Sequence, residues 1–587
     1  MENKAFYLLK RWCDKLIGLQ LPDTFGPELA GGIMCPACHR IHGRCADVLP
    51  AFSLLYGKTG DKRYYDAAKR VFRWSERTLR RKDGSMYNDS NQSWKCIAVF
   101  AAIALGETIT KYGDILEPSF TEELKESLQA KAEYVASESF LSSRPVINYP
   151  VSSAAALRYA GMILNRPDFC REAERRYRTV MENNITPDNF LFGEGHTPTA
   201  KTERGCCAVD MGYNMEESYS NLAIYATLCK DREKQERVAS LFRASLGFLL
   251  PDGGLDNSFG CRSDKWTYYG SRTSDGMAVG LSLLSGFDPT FAEAAWRNFS
   301  MMEKCTTDDL LSGGFQYGEA KEPPCAHHSI THSKALAALC EAGDYTLNTV
   351  ALPIETEAER YSGISRFDSL GIYRVSYGSW IASACFGDCQ LPPEKLPGSG
   401  GVLTLLYHRA LGVISASSMT RYYLSEPNNM QLSRHQDEIG YTAPRIEAGG
   451  FSSAYERCAE AKAGRDEKSC ELSFAGHMRD IRGKEGDKFS ISYRFSENSL
   501  KITLLCGGEA DFLFNAVSDA AAPERISEDR IRFGKSGDSY SVAASSVIEC
   551  AGERTWTPCG GFMSFPLRLH LTAGKEETFE IFYGTAL

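Results

Sequence analysis

The sequence predicts an (α/α)6 toroid followed by an antiparallel β-sandwich, because the spacing of apolar residues changes once along the 587-residue chain. Residues 1–345 read as about a dozen helices joined by loops rich in glycine, proline and asparagine. Residues 346–587 change to alternation with a period of two, which is typical of short strands in a sandwich. We therefore expect a helical catalytic domain at 1–345 and a β-sandwich domain at 346–587.

The helical pattern is clear in the segment DKRYYDAAKRVFRWSERTLR, which starts at Asp61. Tyr64, Ala68, Val71 and Phe72 fall on one stripe of a helix, while arginines and lysines occupy the opposite face. Comparable segments recur along the first part of the chain, and paired helices of this kind are the building unit of a toroid.

The strand pattern is clearest near the end of the chain. FSISYRF (489–495), KITLLCG (501–507) and TFEIFYG (578–584) each alternate apolar and polar side chains. Such alternation places one face of a strand in a core and the other in water, so these segments predict an antiparallel sheet with one buried face.

Composition excludes several classes of function. The chain has 66 basic and 75 acidic residues, a net charge of −9, so it lacks the basic character of a nucleic-acid-binding protein. It contains no apolar stretch of the roughly 20 residues needed to cross a bilayer. The start, MENKAFYLLKRWCDKLIGLQL, mixes charges with apolar residues as an amphipathic helix does. We expect a cytoplasmic protein with no nucleic-acid or membrane partner, and a homodimer is compatible with a chain of this size.

One group among the twenty cysteines has the spacing of metal ligands, CPACHRIHGRC. Cys35, Cys38 and Cys45, together with His39 or His42, could form a tetrahedral zinc site. The string CPACH also matches haem attachment, but that chemistry requires export. Buried thiols beside a substrate pocket are the alternative that we favour, and we expect no metal and no cofactor.

Four loops carry more polar and aromatic residues than turn formation requires: 38–47, 192–218, 253–276 and 325–334. They hold six of the ten histidines, several carboxylates and a Trp–Tyr–Tyr group. Aromatic rings stack on sugar faces and arginine forks bind carboxylates, so this mixture favours an acidic carbohydrate as the ligand.

Two carboxyl groups in these loops are candidates for catalysis. Glu194 lies between Gly193 and Gly195, where there is no helix to cap, and Asp210 follows an apolar residue. A glycosidase needs one carboxylic acid and one carboxylate beside the scissile bond, and this pair could supply both.

Further side chains are candidates for binding the substrate, and several have a structural alternative. Asp89 could cap a helix, and Glu217 could stabilise a helix N-terminus. Arg44, Arg272 and nearby histidines are expected to hold a substrate carboxylate. The complete set is His42, Arg44, Asp89, His196, Tyr213, Asn214, Glu217, Trp266, Tyr269, Arg272 and His328.

The motifs CHRIHGRCAD, FGEGH and VDMGYNMEES, together with the layout of the chain, resemble the β-glucuronidases of glycoside hydrolase family 154. The resemblance implies an exo-acting hydrolase that releases glucuronic acid from the non-reducing end of imported acidic oligosaccharides. This agrees with the expected cytoplasmic location, since long polysaccharides do not enter a cytoplasm.

The same layout is also similar to heparinase II/III-like polysaccharide lyases, which implies β-elimination at a uronate as the alternative reaction. A lyase needs a base, a group that neutralises the uronate carboxylate and an acid for the leaving oxygen. Tyr213 with Asn214, His42 or His196, and Arg44 or Arg272 could meet these needs. A non-catalytic carbohydrate-binding protein is a third alternative.

Overall fold

The computed structural model describes most of the chain, in the ranges 3–88, 94–143, 146–195, 201–347, 352, 361–388, 398–417, 419, 443–551, 553–557 and 559–583. Asp89 and His196 lie outside the described residues.

The described part of the chain begins with α-helices. They are α1 (Lys4–Gly18), α2 (Leu49–Thr59), α3 (Lys62–Thr78), α4 (Ala98–Tyr112), α5 (Pro118–Ala136), α6 (Glu138–Ser142), α7 (Asn148–Ile163), α8 (Pro167–Asn183), α9 (Met211–Tyr213), α10 (Tyr219–Cys229), α11 (Arg232–Ser245), α12 (Ala278–Leu283), α13 (Pro289–Lys304) and α14 (Ala326–Ala342).

Twelve of these helices form two concentric rings. The inner ring runs α2–α4–α7–α10–α12–α14 and closes through contacts between α14 and α2. Each inner helix also packs on one outer helix, in the pairs α2–α3, α4–α5, α7–α8, α10–α11, α12–α13 and α14–α1. Six inner–outer pairs make an (α/α)6 toroid, as the sequence predicts.

The side chains explain which helices lie inside. Ala98–Thr108 of α4 are all buried, and small residues allow close packing there: a Cβ at Gly106 would lie 2.5 Å from the ring of Tyr159 on α7. By contrast, α3 buries one apolar face and exposes its charged residues. A helix that is apolar on all sides is stable only when it is surrounded by protein.

This topology gathers one set of loops at one end of the ring. Because each hairpin reverses the chain, the six inner helices point the same way, and the segments that precede them meet at their N-terminal end. Three of the four polar segments are such loops, since 38–47 precedes α2, 192–218 precedes α10 and 253–276 precedes α12. The fourth, 325–334, is not the expected loop but forms the N-terminal part of α14, which begins at Ala326, so it reaches the same end of the ring. The positive ends of the inner helices face the same side and favour an anionic ligand there.

Four antiparallel sheets accompany or follow the helices in the described part of the chain. Short ribbons in the loops pair β1 (Trp266–Thr267) with β2 (Gly270–Ser271), and β3 (Thr306–Thr307) with β4 (Leu310–Leu311). A five-stranded meander follows, with β5 (Gly363–Phe367), β6 (Ile372–Tyr377), β7 (Trp380–Cys385), β8 (Val402–His408) and β9 (Gly412–Ala416).

The fourth sheet is larger, with fourteen described antiparallel strands. They are β10 (Arg445–Ala448), β11 (Phe451–Ser452), β12 (Glu460–Arg465), β13 (Cys470–Arg479), β14 (Glu485–Phe495), β15 (Ser499–Cys506), β16 (Ala510–Val517), β17 (Glu524–Ser527), β18 (Arg530–Lys535), β19 (Asp538–Ala544), β20 (Ile548–Cys550), β21 (Thr555–Thr557), β22 (Phe562–Leu571) and β23 (Glu577–Tyr583).

The meander and the large sheet face each other across one hydrophobic core. Val375 and Trp380 of the meander belong to the same buried cluster as Ile491 and Tyr493 of β14, which lie opposite Leu504 and Ile502 of β15. The predicted antiparallel sandwich is therefore confirmed. Helix α14 ends at Ala342 and strand β5, the first of the meander, begins at Gly363.

The helical and β parts are joined by a buried contact. Phe367 and Phe248 pack 5.6 Å apart, and Arg374 of β6 donates from Nη1 to Asp256 Oδ2 at 2.6 Å. Asp256 is fully buried and lies in the loop that precedes α12. The sandwich thus supports one of the loops that gather at the end of the toroid.

Among the described residues, none of the helices combines the length and the apolar character needed to cross a membrane.

Candidate active site

Tyr213 lies at the centre of a polar group at the end of the toroid. It is the last residue of α9, and its hydroxyl forms a hydrogen bond with the hydroxyl of Thr273. The guanidinium of Arg262 lies 4.3 Å from the centroid of its ring, and Lys265 Nζ lies 5.9 Å from the same centroid. A tyrosine side chain beside two cations can act as a base in its phenolate form and as an acid in its phenol form.

Asp210 holds Tyr213 in place. It is the N-cap of α9, and its Oδ1 accepts hydrogen bonds from Tyr213 N at 2.9 Å and from Asn257 Nδ2 at 3.1 Å. Its Oδ2 accepts from Arg262 N at 3.0 Å. Burial raises the pKa of Asp210, and these hydrogen bonds and the charge of Arg262 offset part of the rise. Asp210 therefore orients both groups that meet at the phenol.

Glu194 holds the side chain of Arg262. Its Oε2 lies 3.1 Å from Arg262 Nη1, and its Oε1 accepts from Asn148 N at 3.1 Å. Gly193 and Gly195 have φ of 120° and 86°, which place this turn in a conformation that other residues rarely adopt. Burial raises the pKa of Glu194, opposed by the charge of Arg262. The carboxyl is fully buried and both of its oxygens are engaged.

Asn148 and two aromatic residues complete this side of the group. Asn148 opens α7 and is 3% exposed, and its Oδ1 has no hydrogen-bond partner among the described residues. A buried amide of this kind needs a partner, which a bound ligand can provide. Next to it, Tyr149 accepts a hydrogen bond from Trp94 Nε1 at 2.8 Å, and both rings are half-buried.

A second cluster of charges lies deeper behind Thr273. Arg44 bonds Asp47 at 2.7 Å and Asp275 at 2.5 Å, and Lys334 Nζ lies 2.9 Å from Asp275. Glu217 Oε1 lies 3.7 Å from Arg44 Nη1. Burial, followed by the negative charge of Asp275, raises the pKa of Glu217 well above its ordinary range, although Arg44 and Lys334 oppose the shift. Two cations thus face three carboxyl groups, those of Asp47, Asp275 and Glu217.

The two clusters are connected through one residue. Thr273 shares its hydroxyl with Tyr213, and its carbonyl accepts a hydrogen bond from Arg44 Nη1 at 2.7 Å. Glu216 fixes the same loop, because its Oε2 accepts from Ser271 N at 2.7 Å and from Ser274 Oγ at 2.6 Å. The loop that carries Thr273 is therefore held on both sides.

The structure brings some of the predicted residues together and places others elsewhere. Glu194, Asp210 and Tyr213 meet around Arg262, and Arg44 and Glu217 lie in the deeper cluster. The side chain of Asn214 is directed away from both clusters, because its Nδ2 donates a hydrogen bond to Leu191 O at 2.9 Å. Binding roles for these residues stay predictions.

Three predicted aromatic and histidine positions are sealed from solvent. Trp266 and Tyr269 are fully buried, with Trp266 Nε1 bonded to Leu255 O and Tyr269 hydroxyl 2.6 Å from His328 Nδ1. These positions do not favour stacking on a sugar. Arg272, 1% exposed, donates from Nη2 toward the sulfur of Cys559, 3.8 Å away, rather than facing solvent.

His42 lies in a cluster of sulfur and nitrogen ligands. Its Nε2 is 3.5 Å from Cys325 Sγ, and possible ligand atoms of Cys35, Cys38, His42 and Cys325 all lie within 4.8 Å of one another. Cys45 is not part of this cluster, and its sulfur faces Ile33 O at 3.9 Å. Among the described residues, this is the group whose donors suit a metal ion.

The residues that sequence reasoning missed are Arg262, Asn148 and Thr273. Arg262 and Thr273 are in the polar loop 253–276, so attention to every cation and hydroxyl of that loop would have included them. Asn148 has no such signal, because it begins a helix far from the four loops in sequence.

Comparison with known proteins identifies the family. Residues 9–356 match the ulvan lyase N-terminal domain, and residues 364–583 match the ulvan lyase C-terminal domain. A broad-specificity ulvan lyase of Formosa agariphila is 31% identical over 601 aligned residues, which cover 98% of this chain and 93% of that protein.

Two solved structures share the fold at low sequence identity. Heparinase III matches with a TM-score of 0.56 and 13% identity, covering 92% of this chain and 76% of that one. The chondroitin AC lyase of Streptomyces coelicolor A3, solved with chondroitin sulphate, matches with a TM-score of 0.57 and 12% identity. The match covers 100% of this chain and 80% of that one. Both are toroid-plus-β proteins, which confirms the predicted architecture.

These findings correct the predicted activity. The expected glycoside hydrolase, an exo-acting β-glucuronidase similar to family 154, is wrong, because the family matches and the 31% identical relative are lyases. Glu194 and Asp210, the predicted catalytic pair, are buried and engaged with Arg262 and with backbone amides, and their catalytic role stays a prediction. The chain belongs to the ulvan lyase family.

Proposed function

We propose that this protein is a polysaccharide lyase that cleaves a uronate-containing acidic polysaccharide of the ulvan type by β-elimination. The observation that carries the proposal is the placement of Arg262 beside the ring of Tyr213, with Asn148 held by the same carboxylate that holds Arg262. These are the groups that a lyase needs, and the family relationship supports the same reaction.

The reaction has simple requirements. A base removes the proton from C5 of the uronate, next to the carboxylate, and the electron pair forms a double bond between C5 and C4. The bond from C4 to the glycosidic oxygen breaks, and that oxygen takes up a proton. The negative charge that develops on the carboxylate during proton removal must be neutralised, because an ordinary carboxylate makes C5 a very weak acid.

Tyr213 is the proposed proton carrier. Its hydroxyl is held by Thr273, and its backbone is fixed by the N-cap bond to Asp210. Acting as the phenolate, Tyr213 takes the C5 proton and becomes the phenol, which then gives that proton to the leaving oxygen if both lie on the same side of the sugar. One residue then acts as base and acid in turn.

Arg262 and Asn148 are the proposed partners of the uronate carboxylate. Arg262 is one-fifth exposed, so its guanidinium can reach a ligand, and Glu194 fixes its orientation. In this proposal the Nδ2 of Asn148 donates to the carboxylate, and its Oδ1, which has no hydrogen-bond partner among the described residues, accepts from a hydroxyl of the sugar. An arginine fork and an amide can together hold and polarise a carboxylate.

Glu194 and Asp210 act through other residues in this proposal. Each is fully buried, and each is bonded to Arg262, Glu194 at the guanidinium and Asp210 at the backbone. They are therefore positioning residues. The six inner-helix N-termini that meet at this end of the toroid add a field favourable to an anionic polysaccharide.

The test is an assay of the purified protein on four substrates in parallel: ulvan, chondroitin sulphate, heparan sulphate and a chromogenic β-glucuronide. We expect ulvan to yield products with the ultraviolet absorbance of a C4–C5 unsaturated uronate, and the chromogenic glucuronide to stay intact. Released chromophore, or new reducing ends without unsaturated product, would contradict the proposal. Unsaturated product from one of the other two polysaccharides would retain the lyase reaction and change the substrate.

A further inference from the structure

The segment before α2 and the residue before α14 bring four metal-type ligands together. Cys35, Cys38 and His42 lie in the loop between α1 and α2, and Cys325 is the N-cap of α14. Cys35 and Cys325 are fully buried, His42 is 2% exposed and Cys38 is half-buried. The group therefore joins the first and last inner helices of the ring.

The distances from Cys325 to the other three ligand atoms match those of tetrahedral zinc, and all four ligand atoms lie within 4.8 Å of one another. Cys325 Sγ lies 3.6 Å from Cys35 Sγ, 3.6 Å from Cys38 Sγ and 3.5 Å from His42 Nε2. With Zn–S of about 2.3 Å and Zn–N of about 2.05 Å, a tetrahedral site requires about 3.8 Å between sulfurs and about 3.5 Å from sulfur to nitrogen. The sulfur separations are also far longer than the roughly 2.05 Å of a disulfide.

The surroundings suit thiolate ligands. Cys35 Sγ accepts hydrogen bonds from Cys38 N and from Ala326 N, both at 3.4 Å. Backbone donors to a sulfur stabilise its negative charge, and such contacts orient metal ligands. Ala326 is also the first residue of the 17-residue helix α14, so the positive end of the helix faces the cluster. The rings of His42 and His327 pack with centroids 4.9 Å apart, which fixes the imidazole.

We propose that Cys35, Cys38, His42 and Cys325 bind one structural zinc ion that joins the two ends of the toroid. Three soft sulfurs and one imidazole select zinc over magnesium or calcium, which prefer oxygen ligands. Four protein ligands fill a tetrahedral shell, so the site is closed and structural. This proposal replaces the expected absence of a metal, and it substitutes Cys325 for Cys45 in the ligand set suggested by the sequence.

A zinc ion at this site would stabilise the closure of the helical ring and the loop that carries Arg44. The closing pair is separated by 290 residues, so a metal that joins them fixes a long loop of the unfolded chain. The same loop continues from His42 to Arg44, whose guanidinium bonds the carbonyl of Thr273 beside Tyr213. Zinc bound here would thus help to keep Arg44, and the charge cluster around it, in position beside Thr273.

The first test is elemental analysis of the full-length protein purified without added metal and without chelator. We expect about one zinc per chain in the native protein, and loss of most of it in Cys38→Ser and Cys325→Ser. Cys45→Ser is the matched control from the same loop and should keep its zinc. Native protein that contains no zinc, and takes up none when incubated with zinc under reducing conditions, would overturn the proposal, as would full zinc content in Cys325→Ser.

Two further measurements guard against misfolded variants. His42→Cys offers four sulfurs and should retain zinc. Native protein in which cobalt(II) replaces zinc should show the intense visible bands of a tetrahedral thiolate site, and these bands should change in His42→Cys. A cobalt spectrum typical of six oxygen or nitrogen ligands would contradict the assigned ligands even if every serine variant precipitated.

Discussion

The guanidinium of Arg262 lies 4.3 Å from the ring centroid of Tyr213, and this contact is fixed from two directions. Glu194 holds the Arg262 side chain at 3.1 Å, and Asp210 accepts from the backbone amides of both Arg262 and Tyr213. Two buried carboxylates thus orient a cation and a phenol relative to each other. This arrangement makes the proposed roles separable by substitution.

Arg262→Ala should lower kcat/KM on the polysaccharide by about 100- to 1,000-fold, the size of effect seen when a group that stabilises developing charge is lost. Arg262→Lys should recover part of the loss, because it restores charge without the fork. Steady-state rates of unsaturated product measure this. Arg63→Ala, an exposed arginine on α3, is the control. Equal losses in the alanine and lysine variants would place the role of Arg262 in folding rather than in neutralising the carboxylate.

Glu194→Gln should reduce kcat by about 10- to 100-fold with a smaller effect on KM, because the glutamine keeps the shape and loses the charge that holds Arg262. The decisive comparison is the double variant with Arg262→Ala. If Glu194 acts through Arg262, the second substitution adds little to the first. Independent, multiplying losses would show that Glu194 contacts the substrate or the reacting atoms directly.

Glu217→Gln should leave activity near wild type at neutral pH, because burial and Asp275 raise the pKa of Glu217 and so favour its protonated form in the folded protein. In the unfolded chain a glutamate has a pKa of about 4.3, which is lower than the raised pKa of Glu217 in the folded protein. Above that pH the unfolded chain releases a proton that the folded protein still holds, so the free energy of unfolding falls as the pH rises. Free energies of unfolding at pH 5 and pH 8 should differ less in Glu217→Gln than in wild type. An unchanged difference would contradict a protonated Glu217.

Arg374→Ala should destabilise the protein by about 3–5 kcal/mol, because it leaves the fully buried carboxylate of Asp256 without its cation. The pair joins β6 to the loop before α12, so we expect looser coupling between the two parts and a lower midpoint in urea. Arg11→Ala, which removes an exposed ion pair with Asp309, should cost less than about 1 kcal/mol. Similar losses in both variants would show that the buried pair has no special role.

The sequence predicts the fold well because the fold depends on local periodicity. The spacing of Tyr64, Ala68 and Val71 defines a helix face, and the alternation in 489–495 defines a strand face, with no knowledge of distant residues. Helix pairs in series then leave few ways to bury those faces. Three of the four candidate loops follow from the same reasoning, since they stand between the periodic segments, whereas 325–334 lies at the start of α14.

The chemistry could not be predicted to the same depth, because it depends on which loops meet. Glu194 and Asp210 suggest a glycosidase pair by residue type, and their shared partner Arg262 is 68 residues from Glu194. Cys325 joins Cys35 across 290 residues, whereas Cys45 has the better spacing in sequence and faces a backbone carbonyl. Residue type and spacing cannot show whether a buried carboxylate holds an arginine or faces a substrate.

The most direct test of the account is the initial rate of unsaturated-uronate formation from ulvan by Tyr213→Phe, which keeps the ring under Arg262 and removes the hydroxyl. Tyr7→Phe, an exposed tyrosine on α1, is the matched control. We predict a loss of at least about 1,000-fold in Tyr213→Phe, with unchanged thermal stability, and full activity in the control. A Tyr213→Phe rate above about one-tenth of wild type would contradict Tyr213 as the proton carrier.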